Sequence, residues 1–288
     1  MLPPTPAGWQ TAQLQAAWQF DRRSAHTGRL YRIFVSIPHT PAPVTGYPVL
    51  WMLDGAASFP LASVSLPRPM QAPQAGRRPG IAGLPVGLVV GIAHTGDSPF
   101  NVDARACDYT PAPDTDTGDQ LSPEFGGAEA FRHFLVDELR PLIAAQFPLD
   151  ANRHTLFGFS YGGLFTVDTL MSATAPFQRY WAASPSLWFS NALPMRRLRE
   201  GASRLSPQVE QVMLTVGREE QYPSAELPPA RLAHLTHRAM VSCVNEAAGL
   251  LASANPGVAI RNIVAAEHDH FDMLMHGARR VLEFAFVE

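Results

Sequence analysis

The run Leu156-Phe157-Gly158-Phe159-Ser160-Tyr161-Gly162-Gly163 constrains this chain more than any other stretch. It reads as the end of a buried strand, a sharp turn and the start of a helix. Arg153-His154-Thr155-Leu156-Phe157 is strand-like, and Leu164-Phe165-Thr166-Val167-Asp168-Thr169-Leu170 continues as an apolar-rich helix. Gly-x-Ser-x-Gly at such a corner is a nucleophile elbow, in which a serine is held exposed on a strained strand-to-helix turn. Small residues two before and two after the serine are a physical need, because side chains there would collide with neighbouring strands and the helix. Read without chemistry, the run is a glycine-rich turn with an incidental serine; its strand and helix flanks argue against that.

A length of 288 residues suits a single large α/β domain spanning residues 1–288 better than two ordinary ones. Hydrophobic residues make up 46% of the chain, enough for a sizeable core. A formal net charge of −3 argues against a general nucleic-acid or anionic-membrane surface. The sequence contains no lysine, which excludes Schiff-base chemistry by that residue; codon bias explains the absence more simply than function does. Cys107 and Cys243 lack a metal-ligand spacing and imply no disulfide framework, although one bridge between them is open. The start, Met1-Leu2-Pro3-Pro4-Thr5-Pro6, has no apolar core of a signal peptide, and no later stretch is long enough to span a bilayer. A cytoplasmic enzyme is the simple expectation; a periplasmic one trimmed of its leader would read the same.

Ala17 to Arg22 and Tyr31 to Ile37 read as an opening antiparallel hairpin. Pro48 to Leu53 and Val86 to Ile92 are buried strands, the second nearly continuous in apolar residues as a central parallel strand should be. Between them, Pro67 to Gly80 is a proline-rich surface segment. Asp108 to Pro123 is a second long loop, of the kind that serves as a lid. Gly127 to Phe147 reads as one helix, with Phe131, Phe134, Leu135, Leu139 and Leu142 at helical spacing. Strands follow at Tyr180 to Ala183, Val212 to Val216 and Ile260 to Val264, with helices at Arg231 to Ser253 and Met273 to Phe286. This alternation predicts an α/β fold with a mostly parallel central sheet covered by helices on both faces.

A serine nucleophile needs a base, and the base needs an orienting acid. On an α/β-hydrolase fold they follow in the order serine, acid, histidine, each after a strand end. After the last strand comes Glu267-His268-Asp269-His270-Phe271-Asp272. His270 is favoured as base because His-Phe at the approach to a closing helix is the usual setting for this base; His268 competes, with local hydrogen bonding in a loop as its structural role. Asp269 and Asp272 read as turn and helix N-terminal residues. After the strand ending at Val216 comes Gly217-Arg218-Glu219-Glu220-Gln221, where Glu220 is favoured over Glu219 as acid. Oxyanion donors are expected at the backbone N–H of Tyr161 and, after the strand ending at Leu53, at Gly55 or Ala56. Such donors typically contribute about 3 kcal/mol each to the transition state. The chemistry needs no metal and no cofactor.

The stretches Leu53-Asp54-Gly55, Asp108-Tyr109-Thr110-Pro111, Gly126 to Phe131, Leu156 to Gly163, Ser184-Pro185-Ser186-Leu187-Trp188 and Val216-Gly217 with Glu220-Gln221 resemble the esterase family that contains esterase D and the siderophore esterases. Within it the match is to the iron-siderophore esterases that open enterobactin and its glucosylated relatives, and it runs from about residue 30 to the end. The resemblance implies an α/β-hydrolase with a serine nucleophile and a histidine base, acting on the ester bonds of a trilactone. The partner implied is a small-molecule ester such as a ferric siderophore, whose iron arrives with the substrate. The resemblance also implies an active-site arginine at Arg105, to hold an anionic catecholate, and an aromatic wall at Trp188. Read structurally, Arg105 pairs with Asp108 and Trp188 is core. The arginines 68, 77, 78 and 105 are the cationic candidates for a substrate rim. The family usually has small residues after its histidine, whereas His270-Phe271 is a setting of other esterases. Cleavage of S-formylglutathione, feruloyl or short-chain esters is therefore the second reading, and a non-catalytic binding module the third.

Overall fold

Whether a strand alternates or is apolar throughout decides its place in one eight-stranded sheet. The computed structural model describes residues 14, 16–65, 87–96, 98–120, 122–202 and 204–287. It opens with the hairpin β1 (Ala17–Arg23) and β2 (Leu30–Ser36), then β3 (Tyr47–Leu53), α1 (Gly55–Ser65), β4 (Leu88–His94) and α2 (Val102–Tyr109). A helical run follows, with α3 (Ala128–His133), a π-helical stretch over Phe134–Leu139 and α4 (Arg140–Ala144). Next come β5 (Leu149–Phe159), α5 (Tyr161–Leu170), β6 (Arg179–Ala183), α6 (Phe189–Arg197) and β7 (Gln211–Gly217). The chain ends with α7 (Pro229–Arg238), α8 (Met240–Ala254), β8 (Ala259–Ala265) and α9 (His270–Phe286).

The sheet order is β1-β2-β4-β3-β5-β6-β7-β8; β2 runs antiparallel to both of its neighbours, β1 and β4, and every other pairing is parallel. β3 and β4 are buried along their whole length, as continuous apolar runs at the centre of a parallel sheet must be. The period of two divides β3 between two cores. Val49, Trp51 and Leu53 join Leu156, Leu164 and Phe165 on one face, while Leu50 and Met52 join Phe59, Phe157, Met273 and Leu282 on the other. The chain steps from β3 outward to β4, then returns to place β5 on the opposite side of β3. Ligands of open α/β sheets bind at such a switch point, outside the carboxyl ends of the strands.

The helices depart from their sequence reading in instructive ways. The run 127–147 is helical but not uniform: the Arg140 N–H donates to Leu135 O, five residues back. Pro141 accounts for the slip, since it lacks a donor and its ring would crowd the carbonyl four residues earlier. The single helix expected over Arg231 to Ser253 is two, broken at Ala239, which takes the left-handed conformation (φ 46°, ψ 40°). No glycine marks the break, so it leaves no sign in the sequence. α9 begins at His270 rather than Met273, because Asp269 caps it: its carboxylate accepts from the Asp272 N–H at 3.0 Å, and Asp272 returns the bond to the Asp269 N–H at 2.9 Å. The loop expected from Asp108 starts at Thr110, since Asp108 and Tyr109 close α2. The segment Pro67 to Gly80 and Val86 lie outside the described residues.

An L-residue in the left-handed region costs about 1–2 kcal/mol, and glycine gives back about 0.4–1 kcal/mol of that through unfolded-chain entropy. Ala239→Gly should therefore raise stability by about 0.5–1 kcal/mol, measured as a higher urea midpoint at unchanged slope; a lower midpoint would mean that the turn is not strained.

Candidate active site

Ser160 sits in a sparsely populated conformation (φ 58°, ψ −116°), between β5 and α5. Its N–H donates to Ala183 O on β6 at 2.9 Å, and its carbonyl accepts from the Leu164 N–H at 2.9 Å to begin α5. A Cβ on Gly158 would lie 2.0 Å from Gly162 O, so glycine is required there. At Gly162 the added carbon would meet only ordinary contacts, nearest 3.4 Å from Asp54 Oδ2. At Gly163 it would come within 2.8 Å of Ala183 O. The collision argued from the motif thus holds at Gly158 and moves from Gly162 to Gly163.

Beyond β7, a single 3-10 turn over Arg218–Glu220 folds Glu220 inward, where it is 4% exposed. Its Oε1 accepts from the Ser184 hydroxyl at 2.5 Å and the Gly217 N–H at 2.8 Å, and its Oε2 lies 2.6 Å from His270 Nδ1. A buried carboxylate demands such satisfaction. The His270 ring packs on Phe159, centroids 4.7 Å apart. The loops carrying Glu220 and His270 are joined to each other: Glu219 N–H donates to His268 O at 3.1 Å, and a Cβ on Gly217 would lie 2.2 Å from that same oxygen. Glu219 turns outward to the backbone and hydroxyl of Ser224, and His268 Nδ1 pairs with Ala266 O at 2.6 Å. Of the two candidate pairs, then, Glu220 and His270 meet. Nδ1–H donation to Glu220 leaves the Nε2 lone pair to take a proton. Sequence reasoning gave Ser184 no role in the site; beyond its place in the stretch Ser184 to Trp188 that carries the family resemblance, its signal is a small residue at the end of a parallel strand.

The candidate oxyanion donors are first-turn amides of two helices. Tyr161 opens α5 and Gly55 and Ala56 open α1, at the ends of the adjacent strands β5 and β3. N–H groups in a first turn have no intrahelical acceptor and lie at the positive end of the helix dipole. Between these turns lies Arg105, 8% exposed. Its Nε and Nη2 donate to Asp54 at 3.0 and 2.9 Å, and Nη2 also to Phe159 O at 3.2 Å. Arg105 borders the cavity, yet its fork is committed to protein oxygens rather than held out for a ligand. Its structural reading is corrected too: Asp108 is held by Arg29, Tyr31 and His94 instead.

The cavity above Ser160 has a volume of about 580 Å3. Ser160, His270, Arg105 and Trp188 all border it, as do Phe271 and Asp119. Asp119, from the expected lid loop, accepts the Tyr161 hydroxyl at 2.6 Å, and burial together with that carboxylate holds the phenol far above its ordinary pKa. Trp188 is half-buried, its ring 6.1 Å from Tyr161. Arginines 68, 77 and 78 lie outside the described residues. The cations on the wall are instead Arg231 and Arg238, with Leu235 between them, at i, i+4 and i+7 on one face of α7.

A parallel sheet with a strained serine after β5, a carboxylate after β7 and a histidine after β8 defines the α/β-hydrolase class. Residues 24–249 match the family described as "Putative esterase"; the chain belongs to that family and is a carboxylic ester hydrolase. It is 33% identical over 207 residues to the ferri-bacillibactin esterase BesA of Bacillus subtilis, covering 69% of each chain. It is 34% identical over 176 residues to an apo-salmochelin esterase of Escherichia coli, covering 60% of this chain and 51% of that relative. Among solved structures, the BES protein from Bacillus cereus superposes with a TM-score of 0.77 at 27% identity, over 99% of this chain and 100% of the other.

Removing one partner of a buried ion pair leaves an uncompensated charge and costs about 3–5 kcal/mol. Arg105→Met should lower stability by that amount in a denaturant titration, and adding Asp54→Asn should recover a large part of it. Equal losses that simply add would show the two side chains to be uncoupled.

Proposed function

We propose that this esterase hydrolyses the ester bonds of catecholate siderophores of the enterobactin-like trilactone type, through an acyl-enzyme on Ser160, and so aids iron release. The chemistry rests chiefly on one observation: a buried Glu220 carboxylate bonded to His270 Nδ1 at the cavity that Ser160 borders. In this reading His270 Nε2 takes the Ser160 Oγ proton as the oxygen attacks the ester carbonyl. Glu220 holds the ring orientation and stabilises the imidazolium. The Tyr161 N–H, with Gly55 or Ala56, receives the developing oxyanion. Collapse of the tetrahedral intermediate passes the proton from His270 to the departing alkoxide. Water, deprotonated by the same histidine, then frees the acyl group and returns Ser160. The reaction is contained in a single α/β-hydrolase domain. The names of the relatives and an aromatic, cationic wall at Trp188 and Arg238 favour a siderophore substrate.

Incubation with apo and ferric trilactone should release linear trimer, dimer and monomer acyl-serine units, and Ser160→Ala should release none. Survival of the trilactone while simple aryl esters are cleaved would replace the substrate with that of another esterase. Within the triad, Glu220→Gln should reduce kcat by about 10²–10⁴-fold and Glu219→Gln by less than about threefold; the reverse order would make Glu219 the acid.

A further inference from the structure

Arginines 105, 231 and 238 border the cavity. Arg105 is committed to Asp54. Arg238 is different. Its guanidinium carbon lies 3.9 Å from the centroid of Trp188, and among the described residues no hydrogen-bond acceptor or carboxylate pairs with it. It is half-buried, at the last position of α7, where the left-handed Ala239 turns the chain into α8. Burial lowers its pKa, opposed by the nearby Tyr161 and Asp119; an arginine stays charged regardless. Asp119 itself receives the Tyr161 hydroxyl. Arg231, two turns earlier on the same face of α7, adds a second positive charge at the same wall.

A guanidinium partly removed from water without an anion is left under-solvated, and an incoming anion relieves that penalty. Stacking on an indole holds the fork flat and leaves its N–H edges free for two neighbouring oxygens. We propose that Arg238, stacked on Trp188, is the residue that selects esters whose acyl group carries negative charge on adjacent oxygens, the class to which a metal-bound catecholate belongs. This deepens the siderophore reading and rests on it for the natural substrate. It also moves that selection from Arg105, whose fork is occupied, to a helix that no motif marks.

The test compares two p-nitrophenyl esters with the same leaving group: the neutral butyrate and the anionic hemiglutarate. Arg238→Met should lower the ratio of kcat/KM for the anionic over the neutral ester by about tenfold to a hundredfold, the loss of one charge-assisted pairing. The change should fall mainly in KM, with Arg238→Lys recovering part of it. Trp188→Leu, which removes the platform, should lower the same ratio to a smaller extent. A ratio unchanged within twofold in Arg238→Met overturns the proposal. If the ratio falls while the wild-type enzyme leaves the catecholate trilactone intact, Arg238 keeps its role and the siderophore reading fails. If the trilactone is cleaved equally well by wild type and Arg238→Met, the siderophore reading stands and the role of Arg238 fails.

Discussion

The fork of Arg105 holds together the two turns on which everything else in the site depends. Asp54, in the left-handed region at φ 50°, is the corner between β3 and α1; Phe159 is the last residue before the elbow. These corners stand at one level because β3 and β5 pair in register, Met52 opposite Phe157. Sheet hydrogen bonding sets that level but stops at the strand ends. Arg105 continues the connection by binding the Asp54 carboxylate twice and the Phe159 carbonyl once. A buried ion pair gains little net stability over an apolar pair of similar shape. Its value here is geometric: a planar bidentate contact fixes Asp54 in both distance and angle, and with it the first amides of α1 relative to those of α5.

The proposed acid and base depend on a second, separate connection. Glu220 and His270 come from loops after neighbouring strands, and His268 O lies so close to Gly217 that no side chain fits between them. The loops are therefore locked backbone to backbone before the side chains meet. Ser184 completes the arrangement from a third strand end, giving the Glu220 carboxylate a donor that leaves its other oxygen to the histidine. Three consecutive parallel strands thus each contribute one member to a chain of hydrogen bonds, which accounts for its position along the sheet edge.

How much of this was legible in the sequence follows from the range of each interaction. Strands that must be apolar throughout, such as β3 and β4, announce themselves residue by residue. The elbow is legible because its steric demands fall on near neighbours of Ser160, although the tightest contact at its far side belongs to Gly163 rather than Gly162. Glu220 and His270 were legible through topology, since each follows a strand end in the order the fold requires. Arg105 was found, but not its partner, because 51 residues separate it from Asp54 and nothing local distinguishes Asp54 from Asp108. The break at Ala239 was illegible, for alanine favours helix and only tertiary packing holds it otherwise.

That illegible break bears directly on how specificity is divided from chemistry. Of the ten residues of α7, only Leu235 is buried, whereas α5 behind the elbow buries nine of its ten. Exchanging Arg105 disturbs a buried ion pair between two core turns. Exchanging Arg238 changes the charge of a wall that contributes little to the core. Elements with few buried contacts can vary without unfolding what they decorate. The proposed nucleophile and oxyanion donors are therefore built where substitution is least tolerated, and the charge proposed to discriminate among substrates is carried on a helix free to change.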